Sequence, residues 1–314
     1  MNTAGHTGGM GREEALELAR AGLDRLMAGA DALRERAFGR RVELCAIINA
    51  RSGRCPMDCT FCAQSLHYHT DAPVFPLLAA SALRERLARL EGAPLAHVGL
   101  VTSGTALDGP ELESLARVLE ALPAGWRGRV CGSLGQVSAG ALERLRGAGI
   151  ARVHHNLETS RRHYPCICTT QRWEARRDTV LRVRAAGLPV CAGGLFGVGE
   201  SWEDRVDFAL SLRDLGVDNV PLNFLHPHAG TPLAGQPPLG AEEALRIIAL
   251  MRHILPTATL RVCGGRPLVL GARQAEMFAA GANALMTGDY LTTRGKALDD
   301  DLRLLAGAGM RPVE

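Results

Sequence analysis

The chain has 314 residues, of which 46% are hydrophobic and 22% charged, and its formal net charge is only +3. That balance suits one large core and argues against nucleic acid or an acidic membrane surface as partner. No apolar run reaches the roughly 18 residues of a membrane span and no signal-peptide core opens the chain, so the nine cysteines are expected in a reducing cytoplasm, where metal binding is commoner than disulfides.

Residues 1–11 are Gly-rich and polar and are expected to be loose. Residues 12–40 carry apolar positions at helical spacing and predict two helices split near Gly29. From Val42 onward, short apolar runs alternate with amphipathic helical patterns. The runs cover 42–49, 97–102, 129–134, 152–156, 189–195, 219–224, 259–263 and 284–287. The helical patterns lie near 80–92, 110–122, 138–148, 172–187, 201–215, 241–254, 271–280 and 298–307. Eight strand-helix units predict a (β/α)8 barrel of the TIM type over residues 42–314, preceded by a tail and helices over 1–41. A doubly wound open sheet fits the same alternation.

Barrel chemistry gathers at the C-terminal ends of strands, and the loop after the first run reads RCPMDCTFCAQ over residues 54–64. Cys55, Cys59 and Cys62 stand there in C-x3-C-x2-C spacing. Three thiolates on one short loop can share a cubane iron–sulfur cluster and leave its fourth iron open to a small molecule. Structural zinc wants four ligands, usually as paired C-x2-C hairpins; no second C-x2-C follows, although Cys166 and Cys168 keep zinc in play. A redox C-x-x-C should open a helix in a thioredoxin-like unit. The loop resembles the signature of the radical S-adenosylmethionine (SAM) enzymes, Phe61 before the last cysteine included. The resemblance implies a [4Fe–4S] cluster whose open iron chelates the amino and carboxylate groups of SAM.

The second run ends in Val101-Thr102-Ser103-Gly104, where small residues allow close approach of backbone. In the family this position, here Ser103 and Gly104, holds the SAM amino group. The fourth run ends in HHNLET, residues 154–159. Polar side chains are costly there if buried without partners, which favours ligand contact. His154 and His155 are neighbours on a strand and face opposite ways, so they do not share a metal. The fifth run continues into GGLFGVGE, residues 193–200. It matches the family's G-x-I-x-G-x-x-E adenine motif, with Leu195 for Ile, through Gly193, Gly197 and Glu200.

Six cysteines remain. Cys45, Cys131, Cys191 and Cys263 lie on runs one, three, five and seven. Alternate barrel strands supply one interior layer, so these four thiols are expected to face one another and to hold a second metal cluster; each alone also reads as a small buried hydrophobe. Cys166 and Cys168, in HYPCICTT, are either free surface thiols or a pair on the substrate side.

The segments HHNLETS, VCAGGLFGVGES, VPLNFL, HAGTPL and YLTT, in this order, resemble biotin synthase over nearly the whole barrel. That resemblance implies insertion of sulfur into dethiobiotin. The first cluster, once reduced, cleaves SAM to a 5′-deoxyadenosyl radical, and a second iron–sulfur cluster deep in the barrel supplies the sulfur. It implies Cys131, Cys191 and Arg261 as ligands of that second cluster. Asn156 and Asn223 are implied on the ureido ring, Glu158 on SAM, and Thr292 and Thr293 on the valeryl carboxylate. The family's second-strand cysteine is missing, with Leu100 or a neighbour in its place, and Cys263 stands two residues beyond Arg261 on the same strand face. A second cluster held by Cys131, Cys191 and Cys263, with Cys45 as a candidate fourth ligand, is expected to be of the [4Fe–4S] type rather than [2Fe–2S]. An electron donor such as flavodoxin or ferredoxin is expected, and the oligomeric state stays open, the resemblance implying a homodimer because the family is often dimeric. The competing readings are a hydrogenase-maturation or methylornithine-forming radical SAM enzyme, a non-catalytic iron–sulfur electron carrier and a zinc-binding structural protein.

Overall fold

The computed structural model describes residues 9–313, so most of the expected loose tail over residues 1–11 lies outside the described residues. Two helices, α1 (Arg12–Ala19) and α2 (Leu23–Phe38), precede the first strand. The break between them falls at residues 20–22 and not near Gly29, which sits inside α2. Gly29 is a packing residue: a Cβ there would lie 2.7 Å from the ring of His253, whose Nε2 is 3.0 Å from the carbonyl oxygen of Leu26. The glycine lets α2 press against α9 (Ala241–Ile254).

All strands of the main sheet run parallel. They are β1 (Arg41–Arg51), β2 (His97–Thr102), β3 (Val130–Ser133), β4 (Arg152–His154), β5 (Val190–Cys191), β6 (Gly194–Phe196), β7 (Asn219–Phe224), β8 (Thr259–Val262) and β9 (Ala284–Met286). A short β10 (Arg311–Pro312) extends the start of β1. β5 and β6 are two pieces of the fifth barrel strand. The first piece pairs with β4 and the second with β7, and the Ala192 N–H between them donates to the Asn219 carbonyl at 3.0 Å. The fifth strand thus joins both edges of the sheet, as a barrel requires and an open doubly wound sheet does not. Its break has a steric cause, because a Cβ on Gly193 would fall 1.9 Å from the carbonyl oxygen of Pro221.

Helices α3 (Ala80–Ala88), α4 (Gly109–Glu120), α5 (Ala139–Gly147), α7 (Trp173–Ala185), α8 (Trp202–Asp214), α9 and α12 (Leu298–Gly307) follow the strands, and a single turn, α6 (Tyr164–Ile167), lies in the loop after β4. The helical pattern near 271–280 resolves into α10 (Arg266–Leu270), a 3-10 turn and α11 (Glu276–Ala279), because Gly271 turns the chain with φ 50°. Among the described residues no helix is long and apolar enough to cross a membrane.

Period-two alternation sorts the strand residues onto two faces. Val42, Leu44, Ile48, Val98, Leu100, Val130, Val153, Val220, Leu222, Leu260 and Val262 are fully buried in the aliphatic core. The alternate positions, among them Cys45, His97, Cys131, Arg152, Cys191 and Arg261, line an interior cavity.

Below the cavity rim, the Arg266 guanidinium, fully buried, makes a two-oxygen ion pair with Asp301 of α12 at 2.8 and 2.9 Å. Removing one partner of such a pair strands the other charge. Asp301→Ala is therefore expected to cost about 3–5 kcal/mol of stability, read as a lowered urea midpoint at unchanged slope, and a shift equivalent to under about 1 kcal/mol would show that the pair is solvent-screened.

Candidate functional site

The cysteine loop leaves β1 through two residues in the left-handed region, Gly53 (φ 76°) and Arg54 (φ 51°). Its root is held by Gln64, whose Oε1 accepts from Ser52 Oγ at 3.0 Å and from the Gly53 N–H at 3.1 Å. Its tip is held from across the barrel mouth. The Asp58 carboxylate accepts the N–H groups of Thr169 and Thr170 at 2.9 and 3.1 Å and both their hydroxyls, and the Thr60 N–H donates to the Ile167 carbonyl at 2.9 Å. Burial opposes ionisation of Asp58, yet the Thr169 hydroxyl and the two N–H groups outweigh it and hold its carboxyl well below the usual range.

Cys55, Cys59 and Cys62 are free thiols. Cys62 lines the cavity, and burial, with Cys55 nearby, pushes its thiol up to about 11. Among the described residues no three His, Cys, Asp or Glu side chains close on one ion, the arrangement a zinc knot needs. Three thiols spread round one loop instead fit a cubane, in which each thiolate takes its own iron.

The cavity has a volume of ≈ 400 Å³ and runs from Cys62 and Phe61 at the mouth to Cys45, Cys131, Cys191 and Cys263 deeper in the barrel. The four inner thiols come from β1, β3, β5 and the end of β8, so the expected convergence of the odd strands is found. Arg261 and Cys263 share the inward face, as their spacing requires. Two arginines bracket the thiols. Arg152 Nη1 and Arg261 Nη1 both donate to Asn219 Oδ1, at 2.7 and 3.2 Å, and Arg261 Nη2 donates to Glu43 Oε2 at 2.6 Å. The Nε of each arginine is buried without a partner.

Burial pushes the Cys131 thiol up to about 12 and the Cys191 thiol up to about 11, against the opposing pull of Arg152 and Arg261. Thiols so placed are protonated at neutral pH, and the two guanidiniums lower the cost of ionising them. Burial, with Arg152 and Arg261, pushes His97 down to about 4, and burial with Arg261 and Arg176 does the same to His154. Both imidazoles are neutral at neutral pH. His154 lines the cavity while His155 points away, buried, with Nε2 unpartnered.

On the second strand the inward position is Gly99, a neighbour of Leu100. Gly99 pairs with Ile47 on one side and Cys131 on the other and lines the cavity, whereas Leu100 packs outward at 1% exposure. The absence of a side chain at Gly99 widens the cavity beside Cys131.

Asn156, Glu158, Asn223, Thr292 and Thr293 all line the cavity. Both asparagines are oriented by backbone. Asn156 Oδ1 accepts the Gly193 N–H at 3.0 Å, and Asn223 Oδ1 accepts the Gly264 N–H at 3.0 Å while its Nδ2 donates to the Gly194 carbonyl at 3.2 Å. Glu158 has φ 69°. Its carboxyl is pushed up by burial, which Arg176 at 3.4 Å and the Asn156 amide at 3.3 Å offset in part.

Ser103, Gly104, Gly193, Gly197 and Glu200 stand behind the cavity wall and do not line it. Ser103 Oγ donates to the Gly53 carbonyl at 2.7 Å, tying the end of β2 to the cysteine loop. Gly104 (φ 99°) leaves room for Arg51. The Glu200 carboxylate is spent on its own loop: it accepts the N–H groups of Gly197 and Val198 at 3.0 and 2.8 Å and the Arg205 Nε at 2.8 Å. Cys168 is neither a surface thiol nor a cavity residue, since it is buried at 2% exposure under the cysteine loop, whereas Cys166 is exposed. The sequence reading passed over Arg152, His97, Arg176 and Tyr290. Only Arg152 carried a signal, a charged residue inside an apolar strand run.

The family model described as the radical SAM superfamily matches residues 49–212, and that described as the biotin and thiamin synthesis associated domain matches residues 221–311. The chain is 61% identical over 297 residues to the biotin synthase of Desulfovibrio desulfuricans, covering 95% of this chain and 94% of that protein. It is 47% identical over 296 residues to that of Syntrophotalea carbinolica, covering 94% and 90%. Among solved structures, methylornithine synthase superposes with TM-score 0.82 at 22% identity, over 98% of this chain and 95% of that one. A hydrogenase maturase superposes with TM-score 0.81 at 16% identity, over 97% and 72%. These two likenesses concern the fold.

The Glu200–Arg205 pair is almost completely buried, at 2% and 5% side-chain exposure. Glu200→Ala is expected to cost about 3–5 kcal/mol by stranding the guanidinium, measured by chemical denaturation. Glu200→Gln should recover part of the loss, because an amide oxygen still accepts the two N–H groups; equal losses for both variants would show that the charge and not the loop geometry matters.

Proposed function

The chain belongs to the biotin synthase family of radical SAM enzymes, and we propose that its barrel cavity holds both of the clusters and the substrate that this activity needs. It is a sulfur-inserting enzyme that converts dethiobiotin to biotin with SAM. A methylornithine-forming or hydrogenase-maturation activity shares the fold alone, at 22% identity or less. The observation that carries the assignment of the cavity is the set of four inward thiols and two guanidiniums beneath the cysteine loop.

Cys55, Cys59 and Cys62 would hold a [4Fe–4S] cluster with SAM on its open iron, and the cluster, when bound, supplies the electron that cleaves SAM. Glu158 would contact SAM. Ser103, Gly104, Gly193, Gly197 and Glu200 would shape its pocket from behind, since their polar groups are committed to backbone and their glycines to close packing. Cys131, Cys191 and Cys263 would hold the auxiliary cluster, with Arg261 beside it and Cys45 as a further donor. A [4Fe–4S] type is favoured over [2Fe–2S] by the surplus of thiols and by the room that Gly99 opens. Asn156 and Asn223, their amides fixed by backbone, would present hydrogen-bonding edges to the ureido ring, and the Thr292 and Thr293 hydroxyls would bind the carboxylate. The one-electron reduction calls for a small carrier such as flavodoxin or ferredoxin.

Under dithionite, Cys55→Ala, Cys59→Ala and Cys62→Ala are each expected to lose 5′-deoxyadenosine formation, because each removes one of three anchors. Dethiobiotin should stimulate that formation in the parent chain and yield biotin, while lysine should not; stimulation by lysine alone would overturn the assignment.

Cys263→Ser separates the two accounts of the auxiliary site. It is expected to lose the auxiliary iron, read by Mössbauer spectroscopy of anaerobically reconstituted protein, together with biotin formation, while SAM cleavage persists. Full iron and sulfide content with biotin still made would reduce Cys263 to packing.

A further inference from the structure

Cys168 takes no part in the machinery above, yet it faces a residue that does. The Thr60 N–H donates to the Ile167 carbonyl at 2.9 Å, and one residue back on the other side Asp58 binds the Thr169 N–H at 2.9 Å. Residues 58–60 therefore run against residues 167–169 in opposite directions. The residue between the two contacts is Cys59 on one segment and Cys168 on the other. Both are buried, at 7% and 2% exposure, and lie close enough for each to perturb the other's ionisation. These contacts on either side hold Cys59 against Cys168, and a disulfide bridges Cα atoms roughly 4.4–6.8 Å apart.

We propose that Cys59 and Cys168 form a reversible disulfide whenever the chain is without its first cluster and meets a peroxide. With the cluster bound, the Cys59 sulfur is committed to iron and the pair cannot close. Without it, peroxide oxidises one thiol of the pair to a sulfenic acid and leaves as one water. The other thiol then attacks that sulfur, the S–S bond forms and a second water departs. Two thiols have lost two electrons and one peroxide has become two waters. A dithiol restores both thiols by exchange and is itself oxidised to a disulfide. The gain is chemical: a sulfenic acid with no thiol at hand proceeds to sulfinic acid, which thiols do not reverse, and one of three cluster anchors would be lost for good.

The proposal rests on Cys59 as a cluster ligand, and failure of that reading shows separately, as unchanged iron content of reconstituted Cys59→Ala. The test uses the full chain freed of iron by an anaerobic chelator and treated with an equimolar amount of hydrogen peroxide. The expected result is a peptide linked through Cys59 and Cys168, a loss of two titratable thiols, and recovery of both thiols and of iron–sulfide uptake after dithiothreitol. In Cys168→Ala and Cys168→Ser, a second equivalent of peroxide, which sulfinic acid requires, should leave Cys59 as sulfinic acid and abolish recovery of cluster uptake by dithiothreitol, while the parent given the same two equivalents still recovers. Cys166→Ser should behave as the parent. A parent chain in which Cys59 links to Cys55 or Cys62, or to nothing, overturns the proposal. So does a Cys168 variant that folds and recovers cluster uptake as fully as the parent.

Discussion

The rest of this structure depends on the strict alternation of side chains along eight parallel strands. One set of positions is aliphatic and locks the strands to the surrounding helices. Because that set carries the stability, the other is free of the usual duty of filling the barrel with stacked Val, Ile and Leu. Cysteine, arginine, histidine and asparagine occupy it instead, and the interior stays open as a cavity of ≈ 400 Å³. A slip of one residue in any strand would exchange the two sets, so register is bound to function here as tightly as to stability.

An open polar interior must also satisfy its charges. The chain does so with pairs that keep some capacity in reserve. Arg152 and Arg261 share the Asn219 amide oxygen while each keeps an unpartnered Nε. Glu43 is the carboxylate that reaches them, on Arg261. Two guanidiniums against one carboxylate, beside four thiols, make a site that favours an anionic guest. Nearer the mouth, Arg176 does the opposite work: it holds the Tyr164 hydroxyl at 2.7 Å, the Asn156 carbonyl at 3.0 Å and Glu158, and so sets the polar strand end where substrate and SAM would meet.

The mouth itself is assembled from segments far apart in the chain. The cysteine loop is anchored at its tip by the loop that follows β4, through Asp58 and Thr60, and at its root by Ser103 after β2. Loops after three different strands therefore fix the positions of three thiols. That division of labour suits a barrel, in which strand ends converge while their sequences stay separate.

Much of this was legible in the chain because the signals are local. The period of the apolar runs identifies the strands, the C-x3-C-x2-C spacing identifies the cysteine loop at the barrel mouth, and four cysteines on odd strands identify an interior layer, since strand position and facing follow from counting. Gly99, Gly29, Glu200, Arg152 and Cys168 were not legible, and the reason is the same in each case. What a residue does at these positions depends on a neighbour supplied by another element: Cys131 beside Gly99, the His253 ring over Gly29, Arg205 and its helix on Glu200, Asn219 under Arg152, and Cys59 against Cys168. Sequence alone determined which residue types the barrel presents inward and where the cysteine loop begins. Tertiary structure alone decided which of those residues meet, because hydrogen bonds and close packing act over a few ångströms while the partners lie from five to more than two hundred residues apart along the chain.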